Sequence, residues 1–172
     1  MWEKVGAFEN NYINLSQMES FIGTYECKID DKGRLKVPSS LVKQMEGFGD
    51  SAFVVKRSVF QKCLEVYPMS HWDKLMAKIN GLNRFVKKNA DFIRMFTAGV
   101  KVVQLDSSGR IQISKDLTLF ANLSKDVVVT SAGELFEIWE KDAYESVIAT
   151  SEEDFARLAE EVMGQSPESI NP

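Results

Sequence analysis

Two acid–base pairs carry the most chemistry in this sequence. Asp30 stands four residues before Arg34 in the stretch IDDKGRLKVP, and Asp106 stands four before Arg110 in LDSSGRIQIS. In each, a glycine (Gly33 or Gly109) immediately precedes the arginine, and an alternating apolar run follows. Glycine accepts a positive φ where a chain reverses, so each stretch reads as a tight turn between two short strands. Residues flanking the tip of such a turn face each other, which lets the carboxylate hold the guanidinium in place. An arginine so oriented presents its remaining donors as a planar fork, suited to a phosphate or to the O6/N7 edge of a guanine. The plainer reading is an exposed salt bridge that only staples its own turn and contributes about 0–1 kcal/mol. For a single turn the plainer reading leads. Duplication, together with Lys28, Lys32, Lys36 and Lys43 against Asp30 and Asp31 around the first copy, brings the two readings level.

The elements that must position these turns are themselves duplicated. Placing Asp30 over Asp106 also brings Leu35 over Ile111, Val37 over Ile113 and Leu41 over Leu117. A second apolar run follows in each copy, AFVVK at 52–56 and DVVVT at 126–130, and then a third, CLEVYP at 63–68 and LFEIWE at 135–140. In the third runs Glu65 matches Glu137 and Tyr67 matches Trp139; Trp72 and Tyr144 follow on the next helices. Each half therefore reads as strand, turn, short strand, short helix, two-strand ribbon and helical tail. Pro38 suits the first turn of the helix PSSLVKQM and Ser114 the N-cap of KDLTLFANL. Ser70 with Asp73, and Ser151 with Asp154, have the spacing of capping boxes. They precede the apolar faces Trp72, Leu75, Met76, Ile79 and Phe155, Leu158, Ala159, Val162, and Gly164 ends the last helix. Two units each too small to bury its own apolar face can pair about a pseudo-twofold axis and share one core. The fold class is α+β and strand-rich. The pattern divides the chain into an N-terminal extension (1–17), a first repeat (18–80), a linker helix (81–97), a second repeat (98–150) and an acidic helix with a frayed tail (151–172).

Composition limits the function classes. The 172 residues are 44% hydrophobic and 27% charged, which supports a soluble, folded body. No run approaches the roughly 20 apolar residues of a membrane span, and the first residues lack a signal-peptide core, which implies a cytoplasmic protein. The net charge of −4 hides a polarity: residues 131–172 hold eleven acidic residues against Lys141 and Arg157, leaving residues 1–130 at +5. Cys27 and Cys63 lack companions at metal-ligand spacing and read as reduced, half-buried thiols. His71, the sole histidine, reads as a solvated residue at a helix start, and no P-loop, GxSxG or CxxC is present. No catalytic residue, metal or cofactor is expected, and no small-molecule substrate.

FIGTYECKIDDKGRLKVP, LEVYPMSHWDKL, LDSSGRIQIS and FEIWEKDAYE together resemble the two repeats of the MraZ family, bacterial transcriptional regulators similar in fold to the AbrB and MazE swapped-hairpin DNA binders. The resemblance runs in order over about residues 21–150. It implies one double-split β-barrel with flanking helices and a ring-shaped homo-oligomer. It also implies double-stranded DNA as partner, in tandem boxes upstream of the division and cell-wall gene cluster including the protein's own gene, usually with repression and nucleoid association. By the same resemblance Asp30, Arg34, Asp106 and Arg110 are the DNA-binding motif, with Lys28, Lys32, Lys36 and Lys43 around the first copy. Ser114 stands where a proline usually follows the second strand, and Val42-Lys43 where an arginine is usual. Either Met18 is the start of the protein or residues 1–17 form an extension with a role of its own. The competing reading is an oligomeric scaffold whose Asp/Arg turns serve subunit contacts.

Overall fold

The computed structural model describes residues 20–164. The expectations for residues 1–17 and for the tail after Gly164 lie outside the described residues. The first half runs β1 (Thr24–Lys28), β2 (Arg34–Lys36), α1 (Ser39–Gly47), β3 (Phe53–Arg57), β4 (Leu64–Pro68), α2 (Met69–Asn80) and α3 (Lys87–Phe96). The second repeats it as β5 (Lys101–Val103), β6 (Arg110–Gln112), α4 (Lys115–Phe120), β7 (Asp126–Ala132), β8 (Leu135–Glu140), α5 (Lys141–Ile148) and α6 (Glu152–Met163).

Six strands form one antiparallel sheet in the order β1-β7-β8-β4-β3-β5, and β2 pairs with β6 in a separate ribbon. Exchanging the halves turns that order into its own reverse, so a pseudo-twofold axis passes between β4 and β8 and through the β2–β6 pair. The halves are also swapped. The opening strand of each completes the other's ribbon: β1 pairs with β7 from Thr24↔Thr130 to Lys28↔Asp126, and β5 pairs with β3 from Phe53↔Val103 to Val55↔Lys101. The sequence suggested that the strands flanking each Asp/Arg turn would continue as a hairpin. In the first half they share the single bridge Ile29↔Leu35 before β1 leaves for β7 and β2 for β6. Alternation of apolar residues fixes which face of a strand is buried and says nothing of its partner.

One face of the sheet and the β2–β6 ribbon enclose the main core. Leu35, Val37, Leu41, Val55, Val66, Ile111, Ile113, Leu117, Val129 and Ile138 are all buried there, matched residues of the two halves side by side. Each buried aliphatic side chain of this size stabilises by about 1.5–3 kcal/mol. Phe21 joins them, packed against Phe48 and edge-on to Phe136.

The opposite face carries α2, α3 and α5, and there too the repeat is visible in side-chain contacts. Tyr67 meets Trp72 with ring centres 5.8 Å apart, and Trp139 meets Tyr144 at 6.1 Å. Tyr67 Oη donates to Glu65 Oε2 and Trp139 Nε1 donates to Glu137 Oε2, while the two glutamates face each other across β4 and β8. The first half alone adds a cation. Lys56 is fully buried, its Nζ 2.9 Å from Glu65 Oε2, 2.7 Å from the Arg57 carbonyl and 4.6 Å from the centre of the Phe96 ring. The matched position in the second half is Thr130, whose hydroxyl pairs with that of Thr24. Burial, then the neighbouring Glu65 charge, raises the pKa of Glu137 above the usual carboxylate value despite the Trp139 donor.

Several helix ends differ from their sequence reading. Pro38 is the N-cap of α1 itself, one residue before the first turn. Pro68 starts α2 ahead of Ser70, so the Ser70/Asp73 box does not form and both the amide and hydroxyl of Ser70 donate to Asp50 instead. Ser114 caps α4 by position without a side-chain hydrogen bond, and the helix stops at Phe120. At Ser151 half of the box forms: its hydroxyl accepts from the Asp154 amide at 3.1 Å, while Asp154 Oδ2 accepts from that hydroxyl rather than from the Ser151 amide. His71 is half-buried rather than solvated, edge-on to Phe48 and with Nδ1 3.2 Å from the Glu134 carbonyl. Cys63 is completely buried, and burial pushes its thiol up to about 12.

Candidate nucleic-acid interface

Each Asp/Arg turn is built almost entirely from its own five residues. Asp30 Oδ1 accepts from the amides of Lys32 (2.9 Å) and Arg34 (3.0 Å), and Oδ2 accepts from Arg34 Nε at 2.7 Å. Asp106 does the same with Ser108 (2.8 Å), the Arg110 amide (3.0 Å) and Arg110 Nε (2.9 Å). This is the aspartate side chain closing a turn on its own backbone. The Gly33 and Gly109 amides, with φ of 78° and 69°, donate to the carbonyls of Asp30 and Asp106.

The consequence for the arginines is specific. The aspartate engages Nε, which leaves the two Nη groups, the planar end of the fork, for another partner. The guanidinium is thus aimed before any partner arrives, and both arginine side chains are about one-third exposed at 33%. Both carboxylates lie below their ordinary pKa. At Asp30 the Arg34 amide is the leading cause; at Asp106 burial opposes the shift and the Arg110 and Ser108 donors together outweigh it.

The turns are tied to each other as well. The Ile113 amide donates to the Gly33 carbonyl (2.8 Å) and the Val37 amide to the Gly109 carbonyl (3.0 Å). Lys36 Nζ donates to the Ser108 carbonyl, and at the matched position Gln112 Nε2 donates to the Lys32 carbonyl at 2.8 Å. The pairing of β2 with β6, Leu35 opposite Ile111, therefore holds the two arginine-bearing turns at a fixed mutual distance on one surface.

Among the expected site residues, Asp30, Arg34, Lys32, Lys36, Asp106 and Arg110 come together here. Lys28 stands at the end of β1 in an exposed pair with Asp126 at 2.7 Å, and Lys43 lies exposed on α1. Gln112 was missed, although its match to Lys36 was readable from the repeat. Also missed was an open groove of about 700 Å³ beside the first turn, where Asp31 and Lys32 face Lys115, Thr118, Ser124 and Lys125. No local signal in the sequence places Lys125 near residue 32; the swap of β1 onto β7 does.

Comparison with known proteins gives the same duplication. The family model described as "MraZ protein, putative antitoxin-like" matches twice, over residues 20–95 and 95–165. A protein named Transcriptional regulator MraZ from Flavobacterium psychrophilum is 58% identical over 147 residues, covering 86% of this chain and 94% of its own. A protein of the same name from Christiangramia forsetii is 58% identical over 86% of this chain and 95% of its own. Another from Cytophaga hutchinsonii is 35% identical over 85% and 96%. With two matched repeats spanning most of its length and relatives this similar, the chain belongs to the MraZ family.

Proposed function

We propose that this protein is a transcriptional regulator that binds double-stranded DNA sequence-specifically through the paired Asp/Arg turns. The observation that carries the reading is the same geometry built twice: an aspartate holding Nε, a free Nη fork, and a short ribbon fixing the two forks together. The printed names of the relatives support regulation. A fork suits a guanine edge or a phosphate, and Lys32 and the groove lysines Lys115 and Lys125 add sequence-independent attraction to the backbone. We assign the protein no catalytic step.

Beyond that, the proposed assembly is a ring-shaped homo-oligomer on tandem boxes upstream of the division and cell-wall gene cluster, its own gene included, acting mainly as a repressor at the nucleoid. The six-stranded sheet and the β2–β6 ribbon are the parts from which a double-split barrel would be made. A protomer with so few basic residues per turn holds one box weakly, near the non-specific range of roughly 10⁻⁴ to 10⁻⁶ M. Linked protomers make later contacts intramolecular and raise apparent affinity by about 10² to 10⁴ when box spacing matches subunit spacing. Footprinting upstream of the protein's own gene tests the reading. Protection should appear as a series of boxes and weaken when half a helical turn is inserted between them. In the scaffold alternative, where the turns serve subunit contacts only, no salt-sensitive footprint forms.

A further inference from the structure

The two turns agree within their own five residues and differ in what surrounds them. Beside the first, Lys32, Lys115 and Lys125 line the open groove of about 700 Å³ together with Asp31, Thr118 and Ser124, over an apolar base of Ile29, Ile113 and Leu123. Small-molecule sites have this size, roughly 300–1,000 Å³. Carried through the groove, the repeat matches Lys32 with Ser108, Lys115 with Ser39 and Lys125 with Ser51. All three cations of the groove are serines in the other half. Thr118 likewise matches Val42, and Ser114 matches Pro38. Among the described residues the lysines in ion pairs are Lys28, Lys56, Lys87 and Lys141, so the groove lysines are unpaired. Ser114, on the same wall, has an enclosed Oγ with no hydrogen-bond partner among the described residues. Asp116 is near enough for that hydroxyl to lower its pKa, but stays outside bonding geometry.

We infer that this groove binds the phosphate group of a small organic phosphate, of nucleotide size, and that this ligand and DNA exclude each other. Asp30 is already held by Arg34, which leaves three ammonium groups against the single Asp31 carboxylate. That balance favours a multiply charged anion. Backbone phosphates of DNA offer the same chemistry, but they do not account for the one-sidedness. On the proposed function both turns meet one duplex, and a groove serving that duplex is called for at both. A concave groove built once, with an apolar base, fits a ligand taken up once per protomer. Lys32 and Gly33 belong to the turn and to the groove alike, so a phosphate bound there neutralises charge beside Arg34, where the DNA backbone would pass. Only the exclusion of DNA rests on the function proposed above; the phosphate site does not.

The test uses the full chain with ADP as probe and adenosine as its phosphate-free control, read by calorimetry at low salt without DNA. ADP should bind and adenosine should give no heat. Lys115→Ser with Lys125→Ser, the residue types of the other half, should weaken ADP by about tenfold or more. Absence of ADP binding to wild type overturns the inference, as does equal binding by the variant or by adenosine. Both lysines are exposed, and a thermal melt checks the fold. Should the double variant fail it, the two single changes read the same groove, and ADP binding unchanged in both overturns the inference. In an anisotropy titration at constant ionic strength, ADP at ten times its Kd should raise the Kd of an operator duplex by about tenfold for wild type and leave the variant's unchanged. Wild-type duplex affinity that ignores bound ADP overturns the exclusion. ADP binding lost in the variant, beside a duplex that never binds, keeps the phosphate site and removes the DNA reading. Salt-sensitive duplex binding with no ADP binding keeps the DNA reading, leaves the lysines as backbone contacts and removes this inference.

Discussion

The two halves of this molecule agree almost atom for atom at their turns and diverge where each turn's ribbon and helices lie. Asp30 and Asp106 make the same hydrogen bonds, while Lys36 and Gln112, chemically unlike, still reach the same carbonyl on the opposite turn. On the helical face, by contrast, the first half holds a buried Lys56 where the second has Thr130, and α3 is basic where α6 is acidic. The difference teaches which parts do one job twice. On the proposed function, two turns facing one DNA need the same geometry, and nothing in that role asks the same of the helical face.

The largest way to break that comparison is at Lys56. Lys56→Met strands Glu65 at 13% side-chain exposure with only the Tyr67 hydroxyl, and removing one partner of a buried pair costs about 3–5 kcal/mol. In a domain of this size that is a fall in Tm on the order of 10 °C. Thr130→Val at the matched position removes one hydroxyl contact and should cost about 0.5–1.5 kcal/mol. Paired thermal melts check this, and equal losses at the two sites would mean that the ribbons are energetically alike after all.

A smaller effect sharpens the comparison inside the turns. Alanine at a left-handed position costs about 1–2 kcal/mol at Gly33 and at Gly109 alike. At Gly33, however, a Cβ would come within 2.8 Å of the Ile113 carbonyl, whereas at Gly109 its nearest neighbour is the end of the Lys36 side chain at 3.4 Å, which can shift more cheaply than backbone. Gly33→Ala should therefore destabilise more than Gly109→Ala in urea titrations. The reverse order would show that the β2–β6 ribbon gives way more easily than the lysine.

The smallest effect concerns pH. Asp30 and Asp106 have folded pKa values below the ordinary 3.8, so their contribution is fully present above that value and is lost as pH falls through the folded values. From about pH 5 to 8 the Nε–H signals of Arg34 and Arg110 should stay fixed in NMR spectra, and move together only in stronger acid. Movement near neutral pH would mean that the aspartates do not hold the arginines as described.

Much of this was legible in the sequence, for physical reasons that also mark where legibility stopped. The Asp/Arg pairs are local, closed by backbone amides within five residues, so residue type and spacing were enough. The pseudo-twofold followed from repetition. Strand partners did not, because the pull of β1 to β7 rather than β2 is decided by the shared core and leaves no trace in alternation. Ser70 shows the same limit at smaller scale: its capping spacing was sound, but Pro68 opens the helix earlier and Asp50, twenty residues away, takes the hydroxyl. Lys125 beside the first turn and the Lys36–Ser108 link are likewise products of the fold alone.

The most direct test of the central claim, two equivalent turns presenting two arginines to one DNA, is an anisotropy titration on a tandem-box duplex at several salt concentrations. Wild type, Arg34→Ala, Arg110→Ala and the double variant would be compared. Because the geometry is the same twice, each single change should weaken binding by a similar amount, about 1–3 kcal/mol per protomer contact, and the double change should abolish specific binding with the melt unchanged. Binding that survives the double change, or that depends on one arginine and ignores the other, would contradict the account.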